Sequence, residues 1–138
     1  MTEDIRWKQR FNNFSKAFAL LSEILDSTDD ICSLEPIVQE GIIQRFEYTF
    51  ELAWKTLKDK MTEDGIQLES ISPKHVFRAA FQGKYVDSVE VWLDMINDRN
   101  LMSHTYDFSK FDEVLLRLKN EYYPLLGKLH NKFLEDAG

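Results

Sequence analysis

An arginine, a histidine and a tyrosine lie within eight residues of one another, from Arg99 to Tyr106, with the spacing R-x4-H-x-Y. An imidazole such as that of His104 can take up a proton near neutral pH. The guanidinium of Arg99 can hold two phosphate oxygens and stabilise charge that develops on phosphorus. Together they suit metal-independent RNA cleavage, in which the base activates the ribose 2′-hydroxyl and the arginine stabilises the crowded phosphate.

The same pair also has a purely structural interpretation. Arg99 and His104 follow an amphipathic helix, and cations at a helix C-terminus interact favourably with the negative end of its dipole. RNA cleavage further needs an acid for the leaving oxygen, and this segment supplies one histidine per chain. A twofold dimer could bring two such segments together and supply both roles. The residue types alone leave both interpretations open.

The neighbours of this pair have similar alternatives. The phenol of Tyr106 is either half-buried with its hydroxyl hydrogen-bonded or exposed and open to modification. Asp107 either orients His104 or caps the helix that follows. Asn100 adds a polar side chain directly beside Arg99.

Glu47 and Glu51 lie one turn apart on a predicted helix and share its face. Paired carboxylates can bind metal in a helical bundle, but here they lack the Glu-x-x-His sequence that accompanies such sites. An ion-paired or solvated face is therefore favoured, and an approach to Arg99 across the core is a hypothesis. No zinc pattern, glycine-rich phosphate loop or Ser–His–Asp arrangement occurs in the sequence, so we expect neither a metal nor a cofactor.

Helical periodicity and capping signals predict the elements that position these residues. Apolar residues recur every three or four positions and none of the segments alternates convincingly with the period of a strand. The predicted helices run from about Glu3 to Asp26, from Pro36 to Asp64–Gly65, from Ser72–Pro73 to Gln82–Gly83, from Asp87 or Ser88 to Asn97, and from near Ser109 onward. The predicted core residues are Trp7, Phe11, Phe14, Phe18, Leu21, Leu25, Ile42 or Ile43, Phe46, Phe50, Ala53, Trp54, Leu57, Met61, Val76, Phe77, Ala80, Phe81, Val89, Trp92, Leu93, Ile96, Phe111, Val114, Leu115, Leu118, Tyr122, Leu125, Leu126, Leu129 and Phe133.

These elements predict an all-α, up-and-down bundle of four to five helices in a single domain, residues 1–138. Pro124 should kink the last helix, because it lacks a backbone donor and clashes with the preceding turn. Arg99 and His104 are five residues apart and would diverge on an ideal helix. We therefore expect the helix to loosen or end between Leu101 and Thr105, which would let the functional side chains converge.

Composition limits the class of protein. The chain has 138 residues, enough for one domain with a real core, and a net charge of −7. Such acidity argues against binding through nonspecific phosphate contacts, although it leaves room for a local basic pocket. Cys32 is the only cysteine, so no intrachain disulfide is possible, and a reducing cytoplasm is expected. The sequence has no apolar run typical of a signal peptide or a membrane span.

Two segments carry a resemblance to a known family. The segment from Arg99 to Tyr106 matches the R-x4-H-x-Y motif of HEPN-domain proteins. The segment from Arg45 to Leu57 resembles the second-helix signature of one branch, the nucleotidyltransferase substrate-binding protein family. The resemblance covers the chain from Trp7 to Phe133 and implies a helical bundle that forms a homodimer. It also implies a protein partner, a minimal nucleotidyltransferase of the MNT type encoded by a neighbouring gene.

The resemblance leaves two functions open. In the first, which we favour, the chain is a substrate-binding subunit of the transferase, with Arg99, His104 and Tyr106 as its functional surface. In the second, it is a metal-independent endoribonuclease of a toxin–antitoxin pair, silenced when the transferase adds AMP to Tyr106. Arg99 and His104 would then be the catalytic pair, supported by Asn100. Whether the chain is an enzyme stays open, with RNA as a further candidate partner.

Overall fold

The chain forms an all-α helical bundle in the computed structural model. The structure describes the backbone of residues 2–104 and 108–138 and the side chains of residues 6–102 and 110–138. The elements are α1 (Thr2–Leu25), a 3-10 turn (Ile31–Ser33), α2 (Pro36–Glu63), α3 (Pro73–Gln82), α4 (Glu90–His104), α5 (Phe108–Arg117), a π turn (Leu118–Tyr122) and α6 (Tyr123–Ala137). No helix in the described part of the chain is long and apolar enough to cross a membrane.

Aromatic side chains dominate the core, as the periodicity predicts. Helices α1 and α2 form the most extensive pair, and α6 packs against both. Near the middle of the bundle Phe77 of α3 stacks on Trp92 of α4 at 4.4 Å between ring centroids, and on Phe50 of α2 at 5.9 Å. These stacked rings connect three helices, so the positions of α2 and α4 relative to each other depend on α3.

The predicted capping signals act where the sequence places them. Gly65, which follows the C-cap residue Asp64 of α2, has a φ of 90°, which a residue without a Cβ adopts at little cost. The N–H of Ile66 donates to the carbonyl of Met61 at 2.9 Å and closes the end of α2. At the start of α3 the hydroxyl of Ser72 accepts a hydrogen bond from the backbone N–H of His75.

Pro124 disturbs the last helix through a π turn in the preceding residues. Helices α5 and α6 form one continuous helical segment, interrupted only by the π turn at Leu118–Tyr122. There the N–H of Tyr123 donates to the carbonyl of Leu118, five residues back. Proline cannot donate to the carbonyl of Asn120, and its ring crowds that turn, so one turn widens instead of continuing as α-helix.

Helix α4 differs most from the prediction. It does not end at Asn97 but continues to His104. Among the described side chains of α4, those of Trp92, Met95 and Asp98 are buried, whereas Leu93 and Ile96, which were predicted to be buried, are only half-buried. The apolar pattern was misleading here because the core-facing side of α4 carries an aspartate.

Four other predictions about single side chains were wrong in part. Phe18 and Val89, which were predicted to be buried, are half-buried. Phe81 is 46% exposed, although the sequence predicts it to be buried. Ala80 is buried, as predicted. Phe81, the next residue, lies about 100° further round α3 and therefore on a more exposed side of the helix. Leu125 is half-buried, whereas Leu126 beside it is fully buried.

Candidate functional site

A buried acid–base network determines how α4 is rotated, and thereby where Arg99 lies. Asp98 is only 8% exposed and accepts two hydrogen bonds from Arg117, at 2.7 Å from Nε and at 2.9 Å from Nη2. The buried hydroxyl of Tyr122, in the π turn, also donates to Asp98. Because adjacent helical residues diverge by about 100°, an inward Asp98 turns Arg99 toward α2.

This network has a clear electrostatic effect on its members. The hydrogen bonds to Asp98 raise the pKa of Arg117 above its ordinary value. Burial raises the pKa of Tyr122, and its hydrogen bond to Asp98 raises it further. Arg117 and Tyr122 therefore both keep their protons at any physiological pH and act as hydrogen-bond donors to Asp98.

The guanidinium of Arg99 on α4 lies close to the carboxylate of Glu51 on α2. Nη2 of Arg99 lies 3.8 Å from Oε2 of Glu51, and Nη1 lies 3.5 Å from Oδ1 of Asn100. Nε of Arg99 is buried and has no hydrogen-bond partner among the described residues. The arginine is thus held loosely on one side while about a third of its side chain stays exposed.

Glu51 is itself fixed by two neighbours on α2. Its carboxylate accepts a hydrogen bond from Nε1 of Trp54 at 3.1 Å and pairs with Nζ of Lys55 at 3.1 Å. Burial raises the pKa of Glu51, but the Trp54 and Lys55 hydrogen bonds and the charge of Arg99 outweigh that effect and lower it. Glu51 is therefore ionised at neutral pH and is suited to orienting Arg99, not to donating a proton.

An open depression surrounds these groups and forms the candidate site. We call it the α2–α4 groove; it has a volume of about 590 Å³ and is lined by Gln44, Glu47, Tyr48, Glu51 and Arg99. The lining holds two carboxylates and one guanidinium, and Lys55 pairs with Glu51 beside it. A second depression shares Glu47 with the groove. Met102 of α4 and Phe111 of α5 also line this second depression.

Four of the predicted site residues lie close together in the described part of the chain. Glu47, Glu51, Arg99 and Asn100 lie at or beside the groove. The side chains of His104, Tyr106 and Asp107 lie outside the described residues, so their convergence on Arg99 stays a prediction. The backbone of α4 is helical as far as His104, at the boundary where we expected the helix to end.

Sequence analysis missed Asp98 and Tyr48. Asp98 follows Trp92 and Met95 at intervals of three, so its place on the buried face was visible in the spacing. Tyr48 is 37% exposed and stands one turn before Glu51 on the face that forms the groove. Within the described residues, no three His, Cys, Asp or Glu side chains are grouped so that they could hold a metal ion.

Comparisons with known proteins agree with this architecture. A crystal structure of a protein from Thermus thermophilus superposes with a TM-score of 0.71 at 31% identity, covering 90% of this chain and 98% of that one. A protein of Haemophilus influenzae (strain ATCC 51907 / DSM 11121 / KW20 / Rd), described as a probable ribonuclease HepT, is 33% identical over 73 residues. That match covers 51% of this chain and 50% of the relative, so the chain spans about half the length of the curated relative it matches. The family described as nucleotidyltransferase substrate binding protein like matches residues 9–135, and the chain belongs to that family.

Proposed function

We propose that this chain is the protein partner of a small nucleotidyltransferase of the MNT type. The surface it presents is the α2–α4 groove together with the R-x4-H-x-Y segment that begins at Arg99. Membership of a family described by nucleotidyltransferase substrate binding supports a transferase as the partner. The observation that carries the choice of surface is the partly exposed Arg99, which Glu51 orients in an open groove.

The charge of the groove favours a protein over a nucleic acid as its occupant. Glu47 and Glu51 flank Arg99, and the whole chain carries a net charge of −7. A phosphate backbone approaching this surface would meet the net negative charge of the whole chain, and Arg99 is already paired with Glu51. A basic protein surface would instead be attracted to the two carboxylates, with Tyr48 as an aromatic contact at the centre.

A charge reversal in the groove tests this proposal. The chain is co-expressed with the transferase encoded by the neighbouring gene, and the wild-type chain should co-purify with it. Glu47→Lys should reduce the recovered complex at least about tenfold, because it places a repulsive charge at the interface. Size-exclusion chromatography with quantified bands measures the complex.

The matched control is Glu69→Lys, since Glu69 is an exposed acid outside the groove. It should leave the complex intact, and circular dichroism should show both variants folded. Equal loss of complex in both variants, or no complex with the wild-type chain, would contradict the proposal.

The second candidate function is metal-independent cleavage of RNA. Two observations favour it: the complete R-x4-H-x-Y motif, and the similarity to a probable ribonuclease HepT. In this function His104 takes the proton of the ribose 2′-hydroxyl and Arg99 stabilises the charged phosphate. A twofold dimer brings a second copy of the segment to the same cleft and supplies the acid, so light scattering should give twice the 16.3 kDa of one chain.

For this candidate we expect His104→Ala to reduce cleavage of single-stranded RNA by at least about 100-fold without changing the fold, because general acid–base catalysis contributes that much. The control is His75→Ala, which removes an exposed histidine of α3 and should retain activity. Cleavage that persists in His104→Ala would show that His104 is not the base.

Silencing by AMP transfer is tested in the same assay. Co-expression with the transferase should add one or more AMP units to the intact mass and abolish cleavage, and Tyr106→Phe should prevent both effects. Tyr48→Phe is the matched control, because Tyr48 is the exposed phenol of the groove. A mass gain that is lost in Tyr48→Phe and retained in Tyr106→Phe would assign the acceptor to the groove instead.

A further inference from the structure

Two arginine–carboxylate pairs of α4 differ in how closely the charged groups approach. Asp98 holds Arg117 in a fork, with N···O distances of 2.7 and 2.9 Å. Arg99, the residue after Asp98, is less close to its carboxylate, because 3.8 Å separate its Nη2 from Oε2 of Glu51. That distance is beyond the range of a hydrogen bond. Arg99 and Glu51 therefore interact through charge alone.

The carboxylate of Glu51 is held by neighbours on its own helix. Nε1 of Trp54 donates to Oε2 at 3.1 Å, and Nζ of Lys55 lies 3.1 Å from Oε1. Trp54 and Lys55 follow Glu51 by three and four positions, so all three stand on one face of α2. Each oxygen of Glu51 is thus engaged within α2, and Trp54 engages the oxygen that lies nearer to Arg99.

The electrostatics of Glu51 rank these contacts in the same order. Burial raises the pKa of Glu51, and the hydrogen bonds from Trp54 and Lys55 lower it. Each of these hydrogen bonds lowers the pKa more strongly than the charge of Arg99 does. The carboxylate therefore interacts mainly with α2, and its pairing with Arg99 is the weaker contact.

Arg99 consequently keeps hydrogen-bond donors for another acceptor. A guanidinium carries several N–H donors in a fixed fork. Among the described residues Arg99 donates one hydrogen bond, from Nη1 to Oδ1 of Asn100 at 3.5 Å. Its side chain is 34% exposed and lines the α2–α4 groove. A phosphate group in the groove would therefore find a guanidinium that is not yet saturated.

A direct hydrogen bond between Glu51 and Arg99 would remove this capacity. Arginine and carboxylate pair most strongly at about 2.7–2.9 Å, as Arg117 and Asp98 do here. Without the indole donor of Trp54, Oε2 of Glu51 would be free to turn toward Arg99 and close that distance. A phosphate group would then have to break the pair before it could bind.

From these contacts we propose that Trp54 is a positioning residue, which keeps Arg99 available to a phosphate group by holding Glu51 at a distance. Trp54 acts through Glu51 and does not touch the phosphate itself. The inference rests on the second candidate function, in which Arg99 meets the phosphate of RNA. It gives a role at the groove to a tryptophan that is 7% exposed and that the sequence assigns to the core alone.

Titration of the isolated chain with inorganic phosphate tests the proposal. The Nε–H cross-peak of Arg99 in nitrogen-15 NMR spectra, assigned with Arg99→Lys, reports binding. Trp54→Phe keeps an aromatic ring without the N–H donor and should weaken phosphate binding roughly threefold, because Glu51 can then close on Arg99. Glu51→Gln removes the competing charge and should strengthen binding by roughly the same factor.

The double variant Trp54→Phe/Glu51→Gln separates positioning from packing. It should bind phosphate as tightly as Glu51→Gln alone, because Trp54 acts only through the carboxylate of Glu51. The matched control is Trp7→Phe, which changes a buried tryptophan of α1 that does not line the groove and should leave the affinity unchanged. Circular dichroism should show every variant folded.

Two results would overturn the proposal: weakening by Trp54→Phe that persists in the Glu51→Gln background, or an Arg99 cross-peak that phosphate does not move. Inorganic phosphate requires neither cleavage nor the transferase, so this result is independent of the experiments on the proposed function. A chain that binds phosphate in this way but does not cleave RNA would contradict only the RNA function.

Discussion

Two adjacent residues of α4, Asp98 and Arg99, have very different surroundings. Asp98 is buried and fully engaged by Arg117 and Tyr122, whereas Arg99 reaches an open groove and one carboxylate of α2. A buried carboxylate is tolerated only when its hydrogen bonds are satisfied, so Asp98 ties α4 to the last helical segment. The direction of Arg99 depends on that contact.

At the residue scale we expect Asp98→Ala to lower the free energy of unfolding by roughly 2–4 kcal/mol. The change leaves the guanidinium of Arg117 and the hydroxyl of Tyr122 without their common acceptor. Urea denaturation measures the loss. Asp94→Ala, an exposed acid one turn earlier on α4, should change stability by less than about 0.5 kcal/mol. An equal effect of the two variants would mean that the network contributes little to stability.

At the scale of elements, hydrogen bonds between distant segments position the ends of the helices. The π turn before Pro124 places Tyr122 where it reaches Asp98 and stacks on Phe46 of α2 at 5.8 Å. The end of α2 is joined to the α3–α4 connection in a similar way, through Asp64 and Tyr85. Each contact joins segments at least 20 residues apart, which local propensity does not encode.

The contact of Asp64 predicts a dependence of stability on pH. Burial raises the pKa of Asp64, but hydrogen bonds from Lys60 and Tyr85 outweigh it and lower the pKa below its ordinary value. A lowered pKa means that the stabilisation is complete above the unfolded-state pKa of about 3.9 and is lost as the pH falls through the folded-state value. The wild type should therefore exceed Asp64→Asn in stability at pH 7, by at most about 1 kcal/mol because the pair is partly exposed.

Thermal denaturation of both proteins at pH 7 and at pH 3 or below measures this difference, which should shrink at the lower pH. Glu69→Gln is the control, since Glu69 is exposed and lies outside this contact. If the difference between wild type and Asp64→Asn were the same at both pH values, protonation of Asp64 would not be its cause.

At the scale of the whole molecule, the chain combines an acidic overall charge with a groove that holds one guanidinium. The lining of the α2–α4 groove includes the carboxylates of Glu47 and Glu51 as well as Arg99. A net charge of −7 repels phosphate backbones in general.

The sequence by itself determined the helical class, most helix ends and most of the core. Apolar spacing and local capping are properties of a few neighbouring residues, so Gly65, Ser72 and Pro124 acted where they were predicted to act. The motif segment is different: its residue types and spacing predict a function, and that prediction stays open because the side chains of His104 and Tyr106 lie outside the described residues.

Only the tertiary structure decided which face of α4 is buried and what surrounds Arg99. The periodicity of α4 favoured Leu93 and Ile96 for the core, but the burial of Asp98 depends on Arg117 and Tyr122, which lie 19 and 24 residues further along the chain. The pairing of Glu51 with Arg99 likewise arises between helices that are distant in sequence. Such contacts depend on how the helices pack, and helical spacing alone does not determine that packing.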